Sequence, residues 1–131
     1  MPDRAMKILV VDDFSTMRRI VRNCLQQIGY TNIEEAQNGE EALSALRKGD
    51  IQFIISDWNM PIMDGLELLL KVRSDPALKQ IPFLMVTAEA EKDKVISAVR
   101  AGVNNYIVKP FTPQVMKEKI EKIFGRAEPS T

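Results

Sequence analysis

Four short segments of the chain consist of consecutive apolar residues. A half-exposed strand would instead alternate apolar with polar residues. The four segments cover residues 8–11, 53–55, 83–86 and 106–108, and a weaker fifth candidate lies at 33–36. Uninterrupted apolar runs of this length are typical of strands buried on both faces of a parallel sheet. The pattern therefore predicts a five-stranded parallel sheet covered on both sides.

Helical periodicity separates these runs. In the first such segment, apolar residues recur at intervals of three and four, which places one stripe of a helix on the core. The stripe consists of Met17, Ile20, Val21, Cys24, Leu25 and Ile28. Helices and strands therefore alternate, which predicts an α/β fold of five β-α units.

Glycines and polar residues mark the predicted helix ends. Left-handed closing residues are expected at Gly29, Gly49, Gly102 and Gly125, each of which follows a helical stretch. Capping-box spacing occurs at Asn38 with Glu41 and at Asp64 with Glu67, and Thr112 precedes a proline at a predicted first helical position.

Polar groups stand at the ends of four apolar runs: Asp12 and Asp13, then Asp57, Thr87 and Lys109. Carboxyl ends of parallel strands share one edge of the sheet, which is where ligands bind in open α/β folds. Taken singly, the acids are explained equally well as helix caps or turn residues. Together with a lysine, they predict one polar site built from four distant segments.

Three clustered carboxylates require a cation or a raised pKa. Two like charges about 4 Å apart repel by about 4 kcal/mol at an effective dielectric of about 20. Magnesium fits best, because it uses one or two carboxylates and leaves positions for phosphate oxygens, whereas calcium needs more protein ligands. Asp57 then becomes a candidate nucleophile toward a phosphoryl group.

Composition narrows the chemistry further. The 131 residues include 18 basic and 18 acidic side chains, so the zero net charge offers no bulk attraction to nucleic acid or to a membrane surface. Histidine is absent, which excludes Ser-His and Cys-His catalysis and His-ligated zinc.

Cys24 is the only cysteine, and its place on the apolar stripe indicates a core residue. With no membrane span or signal peptide evident, a cytoplasmic protein is expected. Arg18, Arg19 and Arg22 are interpreted as a solvated face.

Four segments together resemble the receiver domains of bacterial two-component signalling, and among these the single-domain chemotaxis response regulators. The segments are VVDDFSTMRRIVRN, SDWNMPIMDGLELL, LMVTAEA and YIVKPF. The resemblance covers about residues 6–124 of a single domain spanning 1–131, with a loose tail at 126–131. It implies a flavodoxin-like (βα)5 three-layer sandwich whose parallel sheet has the order 2-1-3-4-5. That order comes from the family and not from the apolar pattern.

The resemblance also implies roles at the strand ends. Asp57 would accept a phosphoryl group from a chemotaxis-type histidine kinase, with Mg²⁺ bound by Asp13, Asp57 and the backbone carbonyl of Asn59, and by Asp12 through water. Lys109, in a bond to Pro110 that is commonly cis, would pair with the phosphate. Thr87 would move toward the phosphoryl oxygens, and Tyr106 would fill the space it leaves. Considered alone, Thr87 and Tyr106 are more simply structural residues.

A partner surface is implied on the fourth helix, fifth strand and fifth helix, where the family binds the flagellar motor switch protein. Its residues would be Ala90, Lys92, Val95, Tyr106 and Lys119, although on sequence alone solvated helix charge is the preferred explanation for the two lysines. In the family, residues at the positions of Asn59, Glu89 and Trp58 contact the kinase or a phosphatase, or set the lifetime of the phosphate. A monomer is expected. Glu91, the pair Asn104-Asn105 and the tail RAEPST depart from the best-known relatives, which bears on partner affinity.

Other functions remain as alternatives. Aspartyl-phosphate hydrolases carry a second Asp two residues after the nucleophile, where this chain has Asn59. A flavin-binding carrier of the same fold would need a Ser/Thr-rich phosphate loop where Asp12 and Asp13 stand. A scaffold with no chemistry would not need the complete set of acids, hydroxyl and lysine. A receiver serving another chemosensory output also fits, and a signalling phosphoacceptor is expected rather than an enzyme.

Overall fold

Five strands and five helices alternate in the computed structural model, which describes residues 4–88 and 92–125. The strands are β1 (Ile8–Val11), β2 (Ile33–Ala36), β3 (Phe53–Asp57), β4 (Phe83–Thr87) and β5 (Asn105–Val108). The helices are α1 (Ser15–Ile28), α2 (Gly39–Leu46), α3 (Gly65–Ser74), α4 (Lys92–Arg100) and α5 (Pro113–Phe124). Within these ranges no helix is both long and apolar enough to cross a membrane.

The sheet is parallel throughout, with the order β2-β1-β3-β4-β5. This confirms the predicted fold class and strand order, and all five predicted strands are present. Strands β3 and β4 extend to include the polar residues Asp57 and Thr87. The backbone of both residues is therefore held by the pairing of the strands at the carboxyl edge of the sheet.

Two apolar layers cover the sheet because successive strand residues point to opposite faces. Ile8 and Val10 pack with α1 and α5, whereas Leu9 and Val11 pack with α2, α3 and α4. Each layer is a continuous cluster of buried side chains. The helices therefore lie two on one face and three on the other, which makes the predicted three-layer sandwich.

The predicted core stripe of α1 is wrong at one position. Val21, Cys24 and Leu25 are buried, as predicted, but Ile20 is 43% exposed. Ile20 directly precedes Val21 along the helix, so it lies about 100° around from it, at the margin of the contact with the sheet. Cys24 is a buried free thiol, which confirms its interpretation as a core residue.

Helix caps follow the sequence prediction in most cases. Asp64 forms the complete capping box with Glu67, and Thr112 caps α5 ahead of its proline. The box at Asn38 is only half formed, because the Glu41 carboxylate accepts from the amide of Gln37 instead. One more prediction about a helix end is wrong, and it concerns a glycine.

Gly29, Gly49 and Gly102 have positive φ as predicted, but the prediction for Gly125 is wrong. Its φ is −71°, and its amide donates to the carbonyl of Glu121. That bond continues the helical pattern of hydrogen bonding, so no left-handed residue is needed at this point.

Candidate functional site

The strand ends bring the predicted polar residues to one edge of the sheet. Asp12 directly follows β1, while Asp57 and Thr87 are the last residues of β3 and β4. Lys109 directly follows β5, and its Nζ lies 2.9 Å from Oδ1 of Asp57. The Lys109 amide also donates to the Thr87 carbonyl at 2.8 Å, which extends the pairing of β4 and β5 by one step.

Three carboxylates form the centre of this site. One oxygen from each of Asp12, Asp13 and Asp57 lies within 4.8 Å of the others. Oδ1 of Asp13 is buried and has no hydrogen-bond partner within residues 4–88 and 92–125. A buried carboxylate oxygen without a donor is costly, and an all-oxygen donor set suits a hard cation. The residues present therefore fit a divalent ion such as Mg²⁺.

Burial changes the acidity of two of these carboxyl groups. Burial is the main cause that raises the pKa of Asp12 to about 6. The hydrogen bond from the Phe14 amide lowers this pKa, and the nearby charge of Asp57 raises it further. Burial likewise raises the pKa of Asp57, whereas the hydrogen bond and charge of Lys109 lower it. The lysine thus keeps the buried Asp57 carboxyl group closer to its ionised form.

The raised pKa of Asp12 predicts a pH-dependent response to magnesium. Without metal, folded Asp12 holds its proton up to about pH 6, while an unfolded Asp releases it near pH 4. The contribution of this group to stability is therefore greatest below pH 4 and falls as pH rises through 6. Because Mg²⁺ needs the ionised form, the stabilisation that it provides should be about twice as large at pH 7.5 as at pH 5.

Thermal unfolding with and without saturating Mg²⁺ at the two pH values measures this response. An Asp12→Asn variant serves as the control, because it lacks the titrating group. A magnesium effect in the unchanged protein that is equally large at pH 5 and pH 7.5 would contradict the assignment.

Close backbone packing fixes the carboxyl end of β3. Gly65, the first residue of α3, donates its amide to the Trp58 carbonyl at 2.7 Å. A Cβ atom at Gly65 would lie 2.4 Å from the carbonyl oxygen of Asp57 and 2.9 Å from Cα of Trp58. Only glycine fits without displacing Asp57. The sequence left Gly65 without a role, because nothing in the local pattern shows which strand its backbone approaches.

Arg18 is a second residue whose contact the sequence missed. The prediction of a solvated face holds for Arg19, which is exposed, but Arg18 and Arg22 are half-buried and both pair with Glu35 on β2. Arg18 also donates to the backbone carbonyl of Asp12 at 2.7 Å. Helix periodicity could have placed Arg18 and Arg22 one turn apart, but it could not show that β2 supplies their partner.

The structure describes only some of the remaining predicted residues. Tyr106 is half-buried on the edge strand β5, and Nζ of Lys119 lies 5.2 Å from the centre of its ring. Val95 is half-buried on α4, while Asn59 is exposed next to Trp58. Glu89 and Ala90, like the departure noted at Glu91, lie outside the described residues, and the side chain of Lys92 is also outside them. The bond between Lys109 and Pro110 is cis.

Comparison with known proteins identifies the class that this fold and site define. The family model of the response regulator receiver domain matches residues 8–121, and the chain belongs to that family. It is a receiver domain of the CheY type, the chemotaxis response regulators. Chemotaxis protein CheY of Pseudomonas aeruginosa is 60% identical over 121 residues, which cover 92% of this chain and 98% of that protein.

Further relatives agree with this placement. Chemotaxis protein CheY-3 of Vibrio cholerae is 56% identical over 124 residues, which cover 95% of each chain. The solved structure of Vibrio cholerae CheY4 superimposes with a TM-score of 0.84 at 36% identity, covering 91% of this chain and 98% of that one. The match extends over nearly the whole chain in each case.

Proposed function

We propose that this protein is a single-domain response regulator of a chemotaxis system, which accepts a phosphoryl group on Asp57 and thereby changes its affinity for the flagellar motor switch protein. The observation that carries the proposal is the buried Asp57 carboxylate, held 2.9 Å from Nζ of Lys109 beside two further aspartates. Chain 1–131 would act as a monomeric domain in the cytoplasm.

The donor would be a phosphohistidine of a chemotaxis-type histidine kinase, since this chain has no histidine of its own. An oxygen of Asp57 attacks the phosphorus, the P–N bond breaks, and the imidazole of the kinase takes up a proton. Lys109 provides positive charge to the phosphoryl oxygens. Asp13, Asp57 and the backbone carbonyl of Asn59 would hold Mg²⁺, and Asp12 would act through water. The ion, when bound, would further neutralise the charge of the phosphoryl oxygens.

The switch would be carried by Thr87 and Tyr106. Thr87 is buried at the end of β4, and Tyr106 on β5 pairs in register with Met85, two residues before Thr87. A phosphoryl group on Asp57 attracts the Thr87 hydroxyl, and Tyr106 then moves inward. The phosphate supplies the difference in interaction energy between the two states, without which no population shift occurs.

The output surface would lie on α4, β5 and α5. It comprises Ala90, Lys92, Val95, Tyr106 and Lys119. Within it, the contact between Lys119 and the Tyr106 ring links the surface to the switch residue. Asn59 and Glu89 would set the lifetime of the phosphate or contact a phosphatase. The chain would catalyse only its own phosphorylation and dephosphorylation, because Asn59 cannot act as the acid that a hydrolase needs.

Binding of a peptide from the flagellar motor switch protein tests the switch. With Mg²⁺ and acetyl phosphate, the protein should bind the peptide at least several-fold more tightly, as measured by fluorescence anisotropy, whereas Asp57→Asn should not respond. Asp50→Asn is the matched control, because Asp50 is an exposed aspartate far from the site, paired with Lys7. Equal affinity with and without acetyl phosphate would overturn the motor output and favour another chemosensory partner.

A further inference from the structure

We propose that Arg18 is a positioning residue for the magnesium site, holding the backbone carbonyl of Asp12 and with it the turn that presents Asp13. The inference rests on the proposed function, since it assumes that these carboxylates bind Mg²⁺. Arg18 touches no carboxylate of the site. It would act through the peptide that joins Asp12 to Asp13.

The contacts around Asp12 show why this carbonyl matters. The Asp12 amide donates to the carbonyl of Ala36 at 3.1 Å, and the Asp12 carboxylate accepts from the amide of Phe14 at 3.0 Å. The Asp12 carbonyl accepts from Nη1 of Arg18 at 2.7 Å. The Asp12 amide is thereby tied to β2, while its carboxylate and its carbonyl are tied to the cap and the first turn of α1. Losing the bond from Arg18 frees the peptide that leads into Asp13, whose buried Oδ1 accepts no hydrogen bond from the part of the chain that the structure describes.

The guanidinium is itself held in place. Nε of Arg18 donates to Oε1 of Glu35 at 2.9 Å, and the Arg18 side chain is only 15% exposed. Arg22 binds the other oxygen of the same carboxylate, with its Nε at 2.8 Å from Oε2. Glu35 therefore orients two arginines, of which Arg18 alone reaches Asp12. A planar fork that spans two acceptors is a property of arginine that lysine lacks.

Electrostatics and positioning predict opposite effects of removing Arg18. A positive charge near a cation site repels the cation, so deleting it should tighten Mg²⁺ binding if charge alone matters. If Arg18 positions the turn, deleting it should weaken binding. Outer-shell groups that orient metal ligands typically contribute about 10- to 100-fold in metal affinity. Arg22 provides the matched control, because it carries the same charge and binds the same Glu35 carboxylate without reaching Asp12.

Titration calorimetry with MgCl₂ on the full chain distinguishes these cases. Arg18→Met is expected to raise the Kd for Mg²⁺ about tenfold, whereas Arg22→Met should leave it unchanged or slightly lower. Arg18→Lys keeps the charge but loses the fork, so its Kd should rise by about threefold; Arg22→Lys should match the unchanged protein. Circular dichroism establishes whether each variant folds. If Arg18→Met does not fold, the Kd values of Arg18→Lys and Arg22→Lys are compared instead.

The proposal is overturned if Arg18→Met or Arg18→Lys binds Mg²⁺ as tightly as the unchanged protein does, or if the Arg22 variants weaken binding as much as the Arg18 variants. The last result would show that the cluster around Glu35 supports the fold in general. Failure of the proposed function has a different signature. In that case the unchanged protein itself would not bind Mg²⁺, or it would bind the ion and take up no phosphoryl group.

Discussion

Replacing Asp13 with asparagine is expected to abolish the response of the protein to magnesium while making the metal-free protein more stable. For the unchanged protein, Mg²⁺ at about a hundred times its Kd should add about 2.7 kcal/mol to the free energy of unfolding. A carboxylate oxygen of Asp13 lies within 4.8 Å of one from each of two other aspartates, and its buried Oδ1 has no donor among the described residues. Removing its charge relieves repulsion, which should stabilise the metal-free protein by on the order of 1 kcal/mol.

Urea unfolding followed by circular dichroism, with EDTA or with saturating Mg²⁺, measures both effects. Asp50→Asn is the control and should keep the full magnesium response, because Asp50 is exposed and pairs with Lys7 away from the site. A magnesium stabilisation that survives in Asp13→Asn would place the ion elsewhere. A metal-free variant less stable than the unchanged protein would contradict the argument from repulsion.

Replacing Arg73 with methionine is expected to lower the free energy of unfolding by about 2–4 kcal/mol, which is more than for the other substitutions considered. The carboxylate site should not be affected. Arg73 on α3 donates four hydrogen bonds at the opposite edge of the sheet. The acceptors are the carbonyls of Lys79, Ile81 and Gly102 and Oδ1 of Asn104. Burial lowers the pKa of Arg73, which shows that its charge is partly desolvated. Methionine fills similar space but donates nothing, so the three backbone carbonyls lose the bond from Arg73, and Oδ1 of Asn104 keeps only the bond from the Phe83 amide.

Asn104 provides a matched test of the same network. Its Oδ1 accepts from both Arg73 at 2.9 Å and the amide of Phe83 at 2.8 Å. Asn104→Asp keeps both acceptor bonds and gives the guanidinium a charged partner, so its stability should equal or exceed that of the unchanged protein. Asn104→Ala should lose about 1–2 kcal/mol. Arg100→Met, at an exposed arginine, should change stability by less than about 0.5 kcal/mol. Equal losses in Arg73→Met and Arg100→Met would contradict this account.

The fold could be predicted because its signals are local. Buried parallel strands produce uninterrupted apolar runs, and each run in this chain became a strand. The polar residues Asp12, Asp57, Thr87 and Lys109 could be placed on one edge because the carboxyl ends of parallel strands share it. The strand order required the family resemblance, since the apolar pattern does not state which strands are neighbours.

The parts that sequence missed depend on contacts between distant segments. The partner of Arg18 lies on β2 and on the turn after β1, so the arginine resembled an ordinary solvated residue of a helix. Gly65 is required by the backbone of Asp57, which no local pattern reveals. Ile20 fits the helical period, but the width of the contact between α1 and the sheet decides whether it is buried. In each case the deciding neighbour lies in another element of the fold, which a local sequence pattern does not identify.

The central claim is that Asp57 is the phosphoacceptor of a magnesium-dependent site. Mass spectrometry after incubation with acetyl phosphate and Mg²⁺ tests it most directly, with the modified residue located by peptide mapping. We expect one phosphoryl group per chain on Asp57, none in EDTA, none in Asp57→Asn, and full labelling in Asp50→Asn. Labelling of Asp57→Asn to the same extent as the unchanged protein, or labelling that persists undiminished in EDTA, would contradict the claim.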